Sequence, residues 1–84
     1  MDKHLEKFNE YLKGKTIKEV EWVGNNDMEN LMWYKRPVII HFTDGSFLIP
    51  MSDDEGNDGG SLMYQGKEGN DTIYVDYYSP EKVV

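Results

Sequence analysis

Four carboxylates, Asp53, Asp54, Glu55 and Asp58, fall within six residues of chain, interleaved with Gly56 and Asn57 and followed by Gly59 and Gly60. Oxygen-rich loops of this kind hold hard cations, so calcium is the first chemistry to test. With Asp54 at position 1 of an EF-hand loop, Asp58 and Gly59 take positions 5 and 6. Position 3 is then Gly56, and position 12 is Gln65 where a bidentate Glu is required. Starting at Asp53 makes ligands of Glu55 and Asn57 but loses the central glycine. Neither register fits. A weak calcium module stays as the third reading, and no residue is assigned as a metal ligand.

A second chemistry uses the glycines. Gly56, Gly59 and Gly60 allow backbone N–H groups to converge on an anion, but the flanking carboxylates repel phosphate. A ligand with sugar hydroxyls suits the loop better, because carboxylates accept hydrogen bonds from a diol. Trp22, Trp33 or a tyrosine would then stack on a base, although the same aromatics serve equally as core. Arg36, the lone arginine, lies between Lys35 and Pro37 and suits bidentate binding of a carboxylate or other anion; a surface ion pair is the plainer role. His41, Asp44 and Ser46 are the residue types of a catalytic triad, yet they surround a tight turn without the in-line arrangement a triad needs. There is no cysteine, hence no thiol nucleophile and no thiolate zinc site. The expectation is no enzyme and no cofactor.

Charge narrows the partners. Residues 1–36 hold seven basic and seven acidic side chains, whereas Pro37 to Gly66 contain no Lys or Arg and carry −5 of the net −7. Direct binding to nucleic acid is disfavoured, since phosphate contacts need clustered cations. A protein partner with a basic surface is compatible with such a field, including one that normally grips nucleic acid and meets carboxylates in place of phosphates. No apolar run could span a bilayer and the charged start is unlike a signal peptide, so no membrane partner and a cytoplasmic location are expected. Eighty-four residues bury a small share of their surface, which makes homo-oligomerisation a natural way to gain a core.

The elements that must position these residues follow from periodicity. Leu5, Phe8 and Leu12, with Tyr11 beside them, form one stripe of a helix over 2–13, capped by Asp2 and ended by Gly14. Thr16 to Val23 is β-prone, with Val20 and Trp22 on one face; Ile17 falls on the other, which calls for a bulge or two covered faces. Met28, Leu31 and Met32 have helical spacing after Asp27, a candidate cap, giving a short second helix before Pro37. In V-I-I-H-F-T-D-G-S-F-L-I-P-M (residues 38–51), Asp44-Gly45 predicts a two-residue hairpin turn. Phe42 would then face Phe47, Ile40 face Ile49 and Val38 face Met51, all on one side. Leu62 to Gln65 and Thr72 to Tyr78 are expected to form a second hairpin around a Gly66–Asp71 turn. The sum is one α+β domain over 1–84: an N-terminal helix, an antiparallel β-meander of about five strands across 16–78, and a loose tail at 79–84.

Three short patterns, W-Y-K-R-P from Trp33, the turn Asp44-Gly45-Ser46, and P-M-S-D-D-E-G-N-D-G-G from Pro50, resemble a group of small bacterial and phage proteins over about 50 residues. The group has no assigned activity, so the resemblance implies a shared fold and marks the loop. Together these observations predict a small acidic, non-catalytic binding protein, an inhibitor or adaptor, acting through loop 52–61. Its binding residues would be Asp53, Asp54, Glu55, Asn57, Asp58, Gly59, Gly60, Trp33 and Arg36. The alternative is a protein that sequesters a small nucleotide-like or other polar ligand in the same loop.

Overall fold

A computed structural model of the chain describes residues 2–78; the expected tail at 79–84 lies outside them. The class is α+β: among the described residues there are two helices and seven short strands in antiparallel sheets. Helix α1, Lys3–Leu12, begins where the Asp2 carboxylate accepts from the His4 N–H at 2.8 Å. It ends at Gly14, whose φ of +79° takes the left-handed conformation that favours glycine. No residue of α1 is buried.

Strand β1 (Ile17–Trp22) pairs with β3 (Val38–Phe42), which pairs with β4 (Phe47–Leu48). The β1–β3 register shifts between Ile17 and Glu19. This bulge brings Ile17 opposite Phe42, onto the face shared by Val20 and Trp22. The first hairpin differs from the expected register by one residue: Ile40 faces Leu48 and His41 faces Phe47. Its loop has three residues, Thr43, Asp44 and Gly45, closed by a Phe42 N–H to Ser46 carbonyl bond at 2.9 Å. The Asp44 carboxylate causes the shift by taking the Ser46 N–H at 2.9 Å and the Ser46 hydroxyl at 2.5 Å, while Gly45 supplies a φ of +92°. One residue of slip inverts β4. Leu48 joins the Val38, Ile40 and Phe42 face, and Ile49 moves to the side of Ile39.

The sheet therefore separates two small cores. Val38, Ile40 and Phe42 form one, with Ile73 packed against them; Val23, Met28, Trp33 and Tyr78 form the other, with Ile39 and Ile49. Helix α2, Asn25–Leu31, starts two residues before Asp27, the expected cap; Gly24 is its N-cap, without a side-chain bond. It closes at Met32, a non-glycine residue at φ +59°, with the Trp33 N–H on the Met28 carbonyl at 3.0 Å. The contact between buried Met28 and Trp33 completes this Schellman-type end.

The five-strand meander is replaced by three separate sheets, of three, two and two strands. Strand β5 (Leu62–Gly66) and β6 (Gly69–Ile73) turn tightly at Lys67-Glu68, with Gly66 facing Gly69. The expected strand Thr72 to Tyr78 is broken: β7 (Asp76–Tyr77) leaves the hairpin and pairs with β2 (Lys35–Arg36). Ile73 packs on one core and Tyr78 on the other. Pairing of β7 with β2 aligns Lys35 with Tyr77 and Arg36 with Asp76, which brings the W-Y-K-R-P segment beneath the acidic loop.

Candidate functional site

The loop between β4 and β5 is closed at its base by a bridge between Met51 and Gly59. The Ser52 N–H donates to the Asp58 carbonyl and the Gly60 N–H to the Pro50 carbonyl, both at 3.0 Å. Inside it, Asp53 acts as an internal cap. Its carboxylate accepts from the Glu55 N–H at 3.0 Å, the Asn57 N–H at 3.3 Å and the Asn57 amide at 2.9 Å. These bonds, the Asn57 side chain's first, hold the Asp53 carboxyl below its ordinary pKa.

Three bonds fasten the loop to the segment 33–37. The Trp33 indole N–H donates to the Gly56 carbonyl at 2.7 Å, and Gly56 takes a φ of +73° to present it. One oxygen of Asp58 accepts three backbone N–H groups, from Tyr34 at 3.0 Å, Lys35 at 2.7 Å and Gly59 at 2.9 Å. Packing there leaves no room for side chains. A Cβ on Gly59 would overlap the Lys35 carbonyl oxygen and lie 2.6 Å from Pro37 Cδ, and one on Gly60 would lie 2.6 Å from the Met51 carbonyl oxygen. The two patterns W-Y-K-R-P and D-D-E-G-N-D-G-G are thus the two halves of one clamp.

The residues expected to bind are sorted by these contacts. Asp53, Asn57, Asp58, Gly59 and Gly60 hold the loop's shape. Trp33 is 6% exposed and lies in the core. Arg36 donates from one Nη to the Val23 carbonyl at 2.5 Å and from the other to the Asn25 side chain at 2.6 Å. Its guanidinium also lies 5.3 Å from the Tyr78 ring centre and 3.9 Å from Asp76. It ties the start of α2 to β2 and β7. The side chains of Asp54 and Glu55 are different: both residues are exposed, and their carboxylates bond to no described residue.

The loop's carboxylates do not converge. Asp53 and Asp58 turn inward to N–H donors, and no group of three or more His, Asp or Glu residues is arranged to hold a metal ion among the described residues. The triad residue types also go separate ways: Ser46 donates to Asp44 and accepts from Lys15 at 2.7 Å, while His41 meets Glu21 at 2.9 Å. The Ser46 hydroxyl, its N–H and Lys15 lower the Asp44 pKa to about 2.

The sequence gives no sign of a groove of about 410 Å³ beside the loop, lined by Lys35, Ser52, Gly59, Gly60, Ser61 and Tyr77. Its parts come from three distant segments joined by the Asp58 clamp and the β2–β7 pairing, so no local pattern marks it. A second, apolar groove of about 420 Å³ lies among Met28, Met32, Trp33, Tyr34 and Tyr78. No helix among the described residues is long and apolar enough to cross a membrane. No family model matches the chain, and no curated protein or solved structure matches it.

Proposed function

We propose that the chain is a non-catalytic binding protein that presents Asp54 and Glu55 to a basic surface on a partner protein. The observation that carries this reading is the division of labour in the loop. Asp53, Asp58 and Trp33 fix its backbone, and the two carboxylates at its tip have no partner among the described residues. A loop held in one shape loses little entropy on binding. The surrounding 30 residues without Lys or Arg extend the negative field that steers a cationic partner. Such contacts suit an inhibitor or an adaptor.

The groove beside the loop supports a second reading, sequestration of a small polar ligand. Lys35 and the hydroxyls of Ser52, Ser61 and Tyr77 line it, a set suited to an anionic or hydroxyl-bearing molecule rather than to a flat apolar one. The two readings separate in one experiment. Immobilised chain and its Asp54→Asn/Glu55→Gln variant are exposed to lysate of the host cell and eluted with rising salt. Partner capture through the tip predicts proteins that the variant fails to retain and that elute early. Equal retention by both chains contradicts the leading reading. A small molecule retained by both chains, and lost on Lys35→Ala, favours the groove.

A further inference from the structure

Two apolar surfaces of this chain are only partly covered by it. On α1, Leu5, Phe8, Tyr11 and Leu12 share one side of the helix and are between 41% and 53% exposed. On the three-stranded sheet, Val20, Ile40 and Leu48 form one cross-strand row. Ile40 is buried at its centre, while Val20 at 52% and Leu48 at 39% remain open on the outer strands. Ile17 and Trp22 extend the same face. Ile73 packs against the Val38, Ile40 and Phe42 cluster and Tyr74 lies beside Trp22, while Lys15 lies over the Phe42 ring at the other end, so Val20 and Leu48 are the side chains of the row that stay open.

We infer that a second copy of this chain covers both surfaces: α1 of each copy packs across the Val20–Ile40–Leu48 row of the other. The accessible area is the first reason. The chain exposes 6935 Å², roughly 1,700 Å² more than the ~5,200 Å² expected of a folded protein of its mass. Even half of that excess matches the ~800 Å² that each partner buries in a standard interface. The radius of gyration agrees: it is 14.7 Å, against about 12 Å expected for a compact chain of this length.

Connectivity is the second reason. The helix leaves the sheet through Lys13–Thr16, and this link is held down. Lys15 reaches the Ser46 hydroxyl at 2.7 Å and Asp44 at 3.1 Å, and the Thr16 carbonyl accepts from Thr43 at 2.9 Å. So anchored, α1 has no buried residue. A helix of ten residues is about 15 Å long and spans three strands spaced about 4.8 Å apart. Reciprocal exchange across a two-fold axis satisfies both surfaces in both copies. Charge permits it, since α1 and β1 belong to the balanced residues 1–36 and the acidic loop lies outside the contact segments.

Light scattering on the full chain tests this, alone and as Phe8→Glu, Val20→Lys and the two combined. Wild type is expected at twice the 9.8 kDa chain mass. Each single substitution, at a side chain about half exposed in one copy, weakens association by at least about tenfold. The combination recovers part of the loss, because the two introduced charges are opposite in sign and meet across the contact. A monomeric wild type overturns the inference. So does a dimer weakened by Phe8→Glu alone, which means helix on helix, by Val20→Lys alone, which means sheet on sheet, or by neither, which means pairing through the open edge of β1. If a single variant loses its circular dichroism, the combined variant decides: a restored dimer supports helix on sheet, and its absence overturns it. Loop substitutions at Asp54 and Glu55 leave the mass unchanged, so this outcome stands apart from that of the proposed function.

Discussion

The loop from Met51 to Gly60 is mostly polar and glycine, yet it is more tightly secured than α1, which has no buried residue. In the loop, Asp58 accepts three backbone N–H groups and Trp33 reaches across to Gly56. On the helix, Phe8 is half exposed and lies beside His4, ring to ring at 6.4 Å. Residue type alone assigns these regions the other way round, with carboxylates for binding and an amphipathic stripe for the core. What decides is the satisfaction of backbone donors in one case and the reach of a short, anchored link in the other. A carboxylate that fills a set of N–H groups is architecture, and a half-exposed apolar stripe is where the inferred contact with a second copy would form.

The comparison breaks most readily at Gly59. Gly59→Ala forces a methyl into the Lys35 carbonyl and Pro37 and is expected to cost about 3 kcal/mol, seen as a large drop in the urea midpoint. A variant as stable as wild type would mean the clamp is loose. Trp33→Phe keeps most of the apolar bulk and removes the bond to Gly56; a loss of about 1–2 kcal/mol follows, and increased proteolysis within 53–57 should accompany it.

Acid sharpens the contrast further. Asp44 titrates at about 2 in the folded chain, below its ordinary 3.8, and Asp53 is lowered as well. A depressed folded pKa adds stability that is complete above the unfolded value and fades as pH falls through the folded one. Thermal midpoints should therefore decline from about pH 4 toward pH 2, and less steeply in Asp44→Asn. An equal slope in the variant would assign the decline to other carboxylates. Monomer stability should respond least to Phe8→Glu, because no residue of α1 is buried; a change in the unfolding of diluted protein would show the helix packed on its own sheet.

Much of the fold was legible because it is written locally. The Asp2 cap, the Leu5, Phe8 and Leu12 spacing and the Met28 helix each rest on neighbouring residues, and the parity of Ile17 signalled the bulge at the start of β1. The hairpin register was not legible, since Asp44 competes for the Ser46 N–H and lengthens the loop by one residue. Nor was the break before Asp76, where the chain leaves the second hairpin to pair with the distant strand β2. At the candidate site, the loop stood out by composition, but its division into fastening and free carboxylates depends on segment 33–37 folding beneath it. Lys35 and Tyr77 carried no signal at all, because only the β2–β7 pairing brings them together.

The central claim is that acidic residues of one loop do different work, and the urea midpoints of two variants test it. Asp58→Ala strands the Tyr34 and Lys35 N–H groups and should cost about 2 kcal/mol. Asp54→Ala/Glu55→Ala removes no bond among the described residues and should move stability by less than about 0.5 kcal/mol. Equal losses from the two variants, or a larger loss from the Asp54/Glu55 pair, would contradict the account.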